Sequence, residues 1–176
     1  MTPTLSALSV GQIVAATSIH VDRAQLRDYA NASGDQNPIH QDESVARSVG
    51  LPDVIAHGMW TMGAALEVVC QWAGDPTAVI SYSTRFTQPV PVPADGGADI
   101  VVKAVVKKVD TDTGHITLEL AVTCGEAKVL GRALAVVATE LVDTQMVDTQ
   151  PVDTQPVDTQ PGDTETAARS AGMGPS

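Results

Sequence analysis

Residues 58–74 read GMWTMGAALEVVCQWAG. Apolar or small side chains fill nearly every position, so the run does not divide into a wet face and a dry one. A helix that is apolar all round is a buried helix. At seventeen residues it is also too interrupted to span a membrane. Met59, Met62, Leu66, Val69, Cys70 and Ala73 fall on one side, and Gly63, Ala64 and Ala65 are small enough to let strands approach closely. Such a helix needs a sheet to bury it.

The flanking sequence supplies one. Four strand-like runs follow: AVISYSTRFTQPV (78–90), ADIVVKAVVKKV (98–109), HITLELAVTC (115–124) and KVLGRALAVVAT (128–139). Period-two alternation is clear in the third, where Ile116, Leu118, Leu120 and Val122 face one way and His115, Thr117 and Glu119 the other. Asp95-Gly96-Gly97, DTDTG (110–114) and CGEA (124–127) suit hairpin turns. Upstream, QIVAATSIHV (12–21) reads as a strand. DRAQLRDYANAS (22–33) reads as a short helix capped by Asp22, and DESVARSV (42–49) as another. The sum predicts an α+β domain whose antiparallel sheet, a strand meander, wraps a long central helix.

Composition narrows the function. The 176 residues suffice for one domain with a sizeable core, and aromatics are only 3 %, so that core is aliphatic and a base-stacking surface is not expected. The net charge of −11 divides into −6 over residues 1–140 and −5 over 141–176, and neither part has the basic footprint that phosphate backbones require. Nucleic acid is therefore not an expected partner. Cys70 and Cys124 lack CxxC spacing and do not read as a disulfide framework. The N-terminal residues show no basic n-region followed by an apolar h-region, so a cytoplasmic protein is expected.

From Val142 a five-residue period runs VDTQMVDTQPVDTQPVDTQPGDT. Each unit carries one apolar residue, one acid and usually a proline, too little apolar surface to offset the entropy of ordering. The sequence thus predicts a folded domain over residues 1–140 and a disordered acidic tail over 141–176.

Two stretches carry chemistry. The bend SGDQNPIHQD (33–42) places Asp35, Asn37 and His40 within six positions, broken by Pro38. Imidazole titrates nearest neutrality, so His40 can take a proton and return it, and a carboxylate on the same folded-back loop can share a water or a substrate with it. Pro38 stiffens the bend, and Asn37 can hold it by bonding local backbone. The same spacing equally describes an Asx-type turn with His40 as a surface or capping residue. The second stretch, AHGM (56–59), lies where the buried helix begins. There the side-chain-free Gly58 leaves its N–H open to a ligand oxygen gaining charge. His57 beside it reads as a satisfied structural histidine.

Together these suit proton chemistry next to a carbonyl. The four histidines lack metal-site spacing such as HExxH, so no metal is expected. The absence of GxGxxG, GxxxxGK[ST] and GxSxG patterns implies no nucleotide cofactor and no serine nucleophile.

Residues 29–63, YANASGDQNPIHQDESVARSVGLPDVIAHGMWTMG, resemble the hydratase-2 motif of the MaoC-like hotdog proteins, the (R)-specific enoyl-thioester hydratases and dehydratases. The resemblance continues to about Thr139, and is strong to the catalytic subunits of the (3R)-hydroxyacyl-ACP dehydratases of mycolic-acid-producing bacteria. It implies a hotdog fold, with Asp35 and His40 as the catalytic pair, Gly58 donating its N–H to the thioester carbonyl, and Asn37 ordering the loop. It also implies an acyl-ACP or acyl-CoA thioester substrate, and either a second hotdog subunit or a second copy as partner. Because acyl carrier proteins are acidic, docking would use bases such as Arg85, Lys103, Lys107 or Lys108, which otherwise read as solubilising charge.

Overall fold

The computed structural model describes residues 7–139. The elements run β1 (Ile13–Val21), α1 (Arg23–Ser33), α2 (Glu43–Ser48), α3 (Gly58–Ala73), β2 (Val79–Phe86), β3 (Ala98–Asp110), β4 (His115–Cys124) and β5 (Ala127–Ala138). Every strand pairing is antiparallel, in the order β1-β3-β4-β5-β2. The sheet curves around α3, which packs against β1, β2, β3 and β5. This is the expected hotdog arrangement. The repeat-bearing tail lies outside the described residues.

The local chemistry accounts for the elements. Asp22 accepts from the Gln25 N–H at 2.8 Å while the Gln25 side chain accepts from the Asp22 N–H at 2.9 Å, a capping box that starts α1. Ile116, Leu118, Leu120 and Val122 are all buried, as their alternation predicts. Each contributes roughly 1.5–3 kcal/mol of apolar transfer. Both cysteines are free thiols. Among the described residues no helix is long and apolar enough to cross a membrane.

Two expectations need correction. The last four strands are not one meander: β3, β4 and β5 are, but β2 lies at the sheet edge beside β5, so the Asp95-Gly96-Gly97 turn closes no hairpin. β2 also stops at Phe86 rather than residue 90. Pro89, Pro91 and Pro93 have no N–H for a ladder, and the chain there bonds the 54–56 segment instead, through Ala56 N–H to Val90 O (2.9 Å) and Val92 N–H to Val54 O (2.7 Å). Second, α3 is not buried all round. The sheet covers Ala65, Val68, Val69 and Ala73, whereas Met59 is 60 % exposed. Gly63 is exposed with open space where a Cβ would stand, so no strand approaches it; Ala65 is the small residue beneath the sheet.

The segment that leads into α3 is clamped from outside. The Arg23 guanidinium donates to Glu43 (2.9 Å), to Asp53 and to the Val92 carbonyl (3.0 Å), joining α1, α2, the 52–56 segment and the proline run. These carboxylates hold the Arg23 proton even more tightly than usual. The clamp sets where the residues before Gly58 lie.

Candidate active site

Gly34 ends α1 at φ +80°, a left-handed conformation that glycine adopts without penalty, and the chain turns into the bend. Asp35 Oδ1 accepts from the Asn37 N–H, and Asn37 Oδ1 accepts from the Ile39 N–H, both at 3.2 Å. Asn37 thereby caps a single 3₁₀ turn, Pro38–His40. Asp42, read from the sequence as the first residue of a helix, is instead the N-cap of α2. It accepts from Ser44 N–H (2.8 Å) and Val45 N–H (3.1 Å), and these bonds hold its carboxyl below the usual range. The bend is thus a run of Asx turns, but His40 is not a surface residue: it is 8 % exposed.

The His40 Nδ1 lies 2.7 Å from the Ile55 carbonyl oxygen. A carbonyl only accepts, so Nδ1 carries the proton and Nε2 keeps the lone pair. Burial pushes the ring's pKa below its ordinary value. The Ile55 carbonyl opposes that shift, His57 adds to it, and the Asp35 charge opposes it. His40 is therefore a neutral imidazole near pH 7, with its free nitrogen fixed by the backbone.

A carboxylate oxygen of Asp35 and a ring nitrogen each of His40 and His57 all lie within 4.8 Å of one another. Asp35 itself is exposed. Each ring gives one N–H to a backbone carbonyl and keeps a lone pair on its other nitrogen, a donor set that suits proton transfer and is also of metal-ligand type. His57 is not the satisfied structural histidine expected. Its Nε2 bonds the Asp35 carbonyl at 3.1 Å, its Nδ1 is buried without a partner, and it makes no cap bond to α3.

Beside His40 opens a pocket of about 280 Å³, bordered by Gly58, Thr61, Phe86, Val90 and Leu130. Gly58 is the first residue of α3, so its N–H has no acceptor within the helix. A Cβ at Gly58 would stand 3.1 Å from the Phe86 ring, so glycine keeps this mouth open. The structure thus brings the Asp35 carboxylate to His40, and His40 to the pocket that Gly58 borders, with Asn37 capping the turn between them. The wall formed by Phe86 and Leu130 has no signal in the local sequence, because it arises from the pairing of β2 with β5.

The proposed docking bases form no single patch. Lys107 pairs with Glu119 and Lys108 with Asp110, both at 2.7 Å, the latter drawing the Asp110 carboxyl down to about 2. Lys103 and Lys107 do lie exposed on one face of β3, but β4 and β5 separate them from Arg85 on β2, about 14 Å at ordinary strand spacing.

A five-stranded antiparallel sheet around one helix, with an Asp–His bend at that helix's tip, defines the class. Residues 7–123 match the MaoC-like domain, and the chain belongs to this family. Among curated relatives, it is 40 % identical over 101 residues to 3-hydroxyacyl-thioester dehydratase X of Mycobacterium tuberculosis, covering 52 % of this chain and 35 % of that protein. It is 46 % identical over 56 residues to the peroxisomal enoyl-CoA hydratase 2 of Arabidopsis thaliana, covering 31 % of this chain and 18 % of that one. The chain thus spans about a third or less of these two relatives' length. Among solved structures, a MaoC-like dehydratase superposes with a TM-score of 0.76 at 38 % identity, covering 78 % of this chain and 42 % of the other. An (R)-hydratase from A. caviae involved in PHA biosynthesis gives 0.67 at 26 % identity, covering 76 % and 98 %.

Proposed function

We propose that the chain is a (3R)-hydroxyacyl-thioester dehydratase, reversible as a trans-2-enoyl hydratase, acting in the cytoplasm on ACP-bound acyl chains of fatty acid or mycolic acid elongation. The observation that carries this reading is the approach of the Asp35 carboxylate to the His40 imidazole beside a pocket bordered by Gly58. In the dehydration direction His40 Nε2 takes the α-proton, and that electron pair forms the Cα=Cβ bond. The Cβ–O bond breaks, and the hydroxyl leaves as water with the proton that His40 has taken, relayed through the Asp35 carboxylate. The relay returns His40 to its neutral form and Asp35 to its carboxylate, ready for the next turnover. Charge that builds on the thioester oxygen meets the Gly58 N–H at the positive end of α3.

The name of the M. tuberculosis relative supports the dehydratase reading. A second reading, a homodimeric (R)-specific enoyl-CoA hydratase, is favoured by the enoyl-CoA hydratase 2 and (R)-hydratase matches. It differs in carrier and assembly, not in chemistry. A hotdog subunit that binds thioesters without turnover would need no Asp–His pair. The partner is a second hotdog subunit in the first reading and a second copy in the other. Hydration of crotonyl-CoA and of a long-chain enoyl-ACP in D₂O tests the chemistry. The expected product is the (3R)-hydroxyacyl thioester, with deuterium and hydroxyl added to the same face. A (3S) product, or none with either carrier in the presence of a hotdog partner, would overturn the proposal. Turnover of crotonyl-CoA by the chain alone as a dimer would favour the second reading.

A further inference from the structure

We propose that His57 is a positioning residue: its buried ring stacks on His40 and ties down the Asp35 backbone, so that carboxylate and imidazole meet. The inference rests on the Asp35–His40 pair proposed above. Three observations on one side chain support it. The rings of His40 and His57 stack, with centroids 3.9 Å apart and planes inclined by 27°. The His57 Nε2 lies 3.1 Å from the Asp35 carbonyl oxygen, and because a carbonyl only accepts, that nitrogen carries the proton. The remaining nitrogen, Nδ1, is buried with no partner, in a residue only 1 % exposed.

The third observation gives the others weight. A buried acceptor without a donor is a net cost to folding. A phenylalanine would stack on His40 equally well and leave no orphaned nitrogen. What histidine adds at position 57 is its one N–H, and that N–H is spent on the residue carrying the acid. Asp35 is exposed, so water could serve its carbonyl, and stability alone does not require the bond. Asp35 comes from the bend, His57 from the start of α3, and from α1 Tyr29 packs on His57 with its ring centroid 4.8 Å away.

His57→Phe separates positioning from structure. It keeps the stack, removes the orphaned nitrogen and deletes the donor. The expected result is unchanged or raised thermal stability with kcat roughly 10- to 100-fold lower and KM little changed, the scale expected when a catalytic group shifts by about an ångström. His57→Gln, whose amide N–H reaches about as far as Nε2, should restore most of the rate. A second readout is independent of turnover. Asp35→Asn should lower the His40 titration midpoint, followed by NMR in the wild-type chain, and most of that shift should vanish in the His57→Phe background. Equal shifts in both backgrounds, wild-type kcat in His57→Phe, or a loss of rate explained wholly by lost folding would overturn the proposal. Because the titration needs no substrate, it stands even if the hydratase reading fails.

Discussion

Replacing Gly58 by alanine adds one methyl group at the mouth of the pocket, and the structure sets its consequences for folding and for turnover separately. The new Cβ would meet Cε1 of Phe86 at 3.1 Å and Cδ1 and Cζ at 3.3 Å. Phe86 is 53 % exposed, so its ring can yield toward solvent by a few tenths of an ångström. Alanine also favours helix over glycine by up to about 1 kcal/mol. The two effects nearly cancel, and the unfolding free energy should change by less than about 1 kcal/mol. Turnover should respond differently, because the methyl stands where a thioester oxygen must come to reach the Gly58 N–H. Removing one oxyanion donor outright costs about 10²–10³-fold in rate. The N–H remains here but is screened, so kcat/KM on crotonyl-CoA should fall about 100-fold, the lower end of that range. Urea denaturation and enoyl hydration on the same preparation decide the matter. A Gly58→Ala protein of unchanged stability and near-wild-type kcat/KM would show that no oxyanion forms at this helix tip.

Other consequences are equally direct. Burial lowers the His40 pKa from its ordinary 6.5, so the acid limb of the kcat/KM profile should lie below that value. The unfolded chain binds this proton more readily than the folded one, so the His40 contribution to stability is full above about pH 6.5 and is lost as pH falls below it, which urea titrations across that range would record. The Tyr82 hydroxyl is buried without a partner and burial alone pushes its pKa up to about 12; Tyr82→Phe should therefore be neutral or stabilise by up to about 1 kcal/mol in chemical denaturation. Arg23→Ala removes the clamp on Glu43, Asp53 and the Val92 carbonyl, and should cost about 2–3 kcal/mol in the same assay.

Much of this was legible in the residues because local chemistry decided it. Asp22 and Gln25 bracket α1 with side chains three positions apart, and alternation along 115–124 reports one dry face. The bend was legible as two readings, and the structure contains parts of both: Asx turns at Asp35 and Asn37, and a buried imidazole at their end. What stayed hidden depends on pairing between distant segments. The edge position of β2 follows from its ladder with β5, and only that ladder brings Phe86 and Leu130 together as a pocket wall. The prolines at 89, 91 and 93 set where β2 stops, because none of them can donate to a ladder. The exposure of Met59 could not be read from an all-apolar helix, since periodicity does not say how far a sheet reaches around it. The stacking of His57 on His40 likewise needs the 52–56 segment folded back over the bend.

The most direct measurement is the hydration rate of His40→Ala on an enoyl thioester, taken with its circular dichroism spectrum and assembly state. An imidazole whose Nε2 is the proton acceptor at the α-carbon should take nearly all turnover with it, while the fold remains. A well-folded His40→Ala protein that still hydrates the thioester at close to the wild-type rate would contradict the assignment of the bend as the catalytic centre.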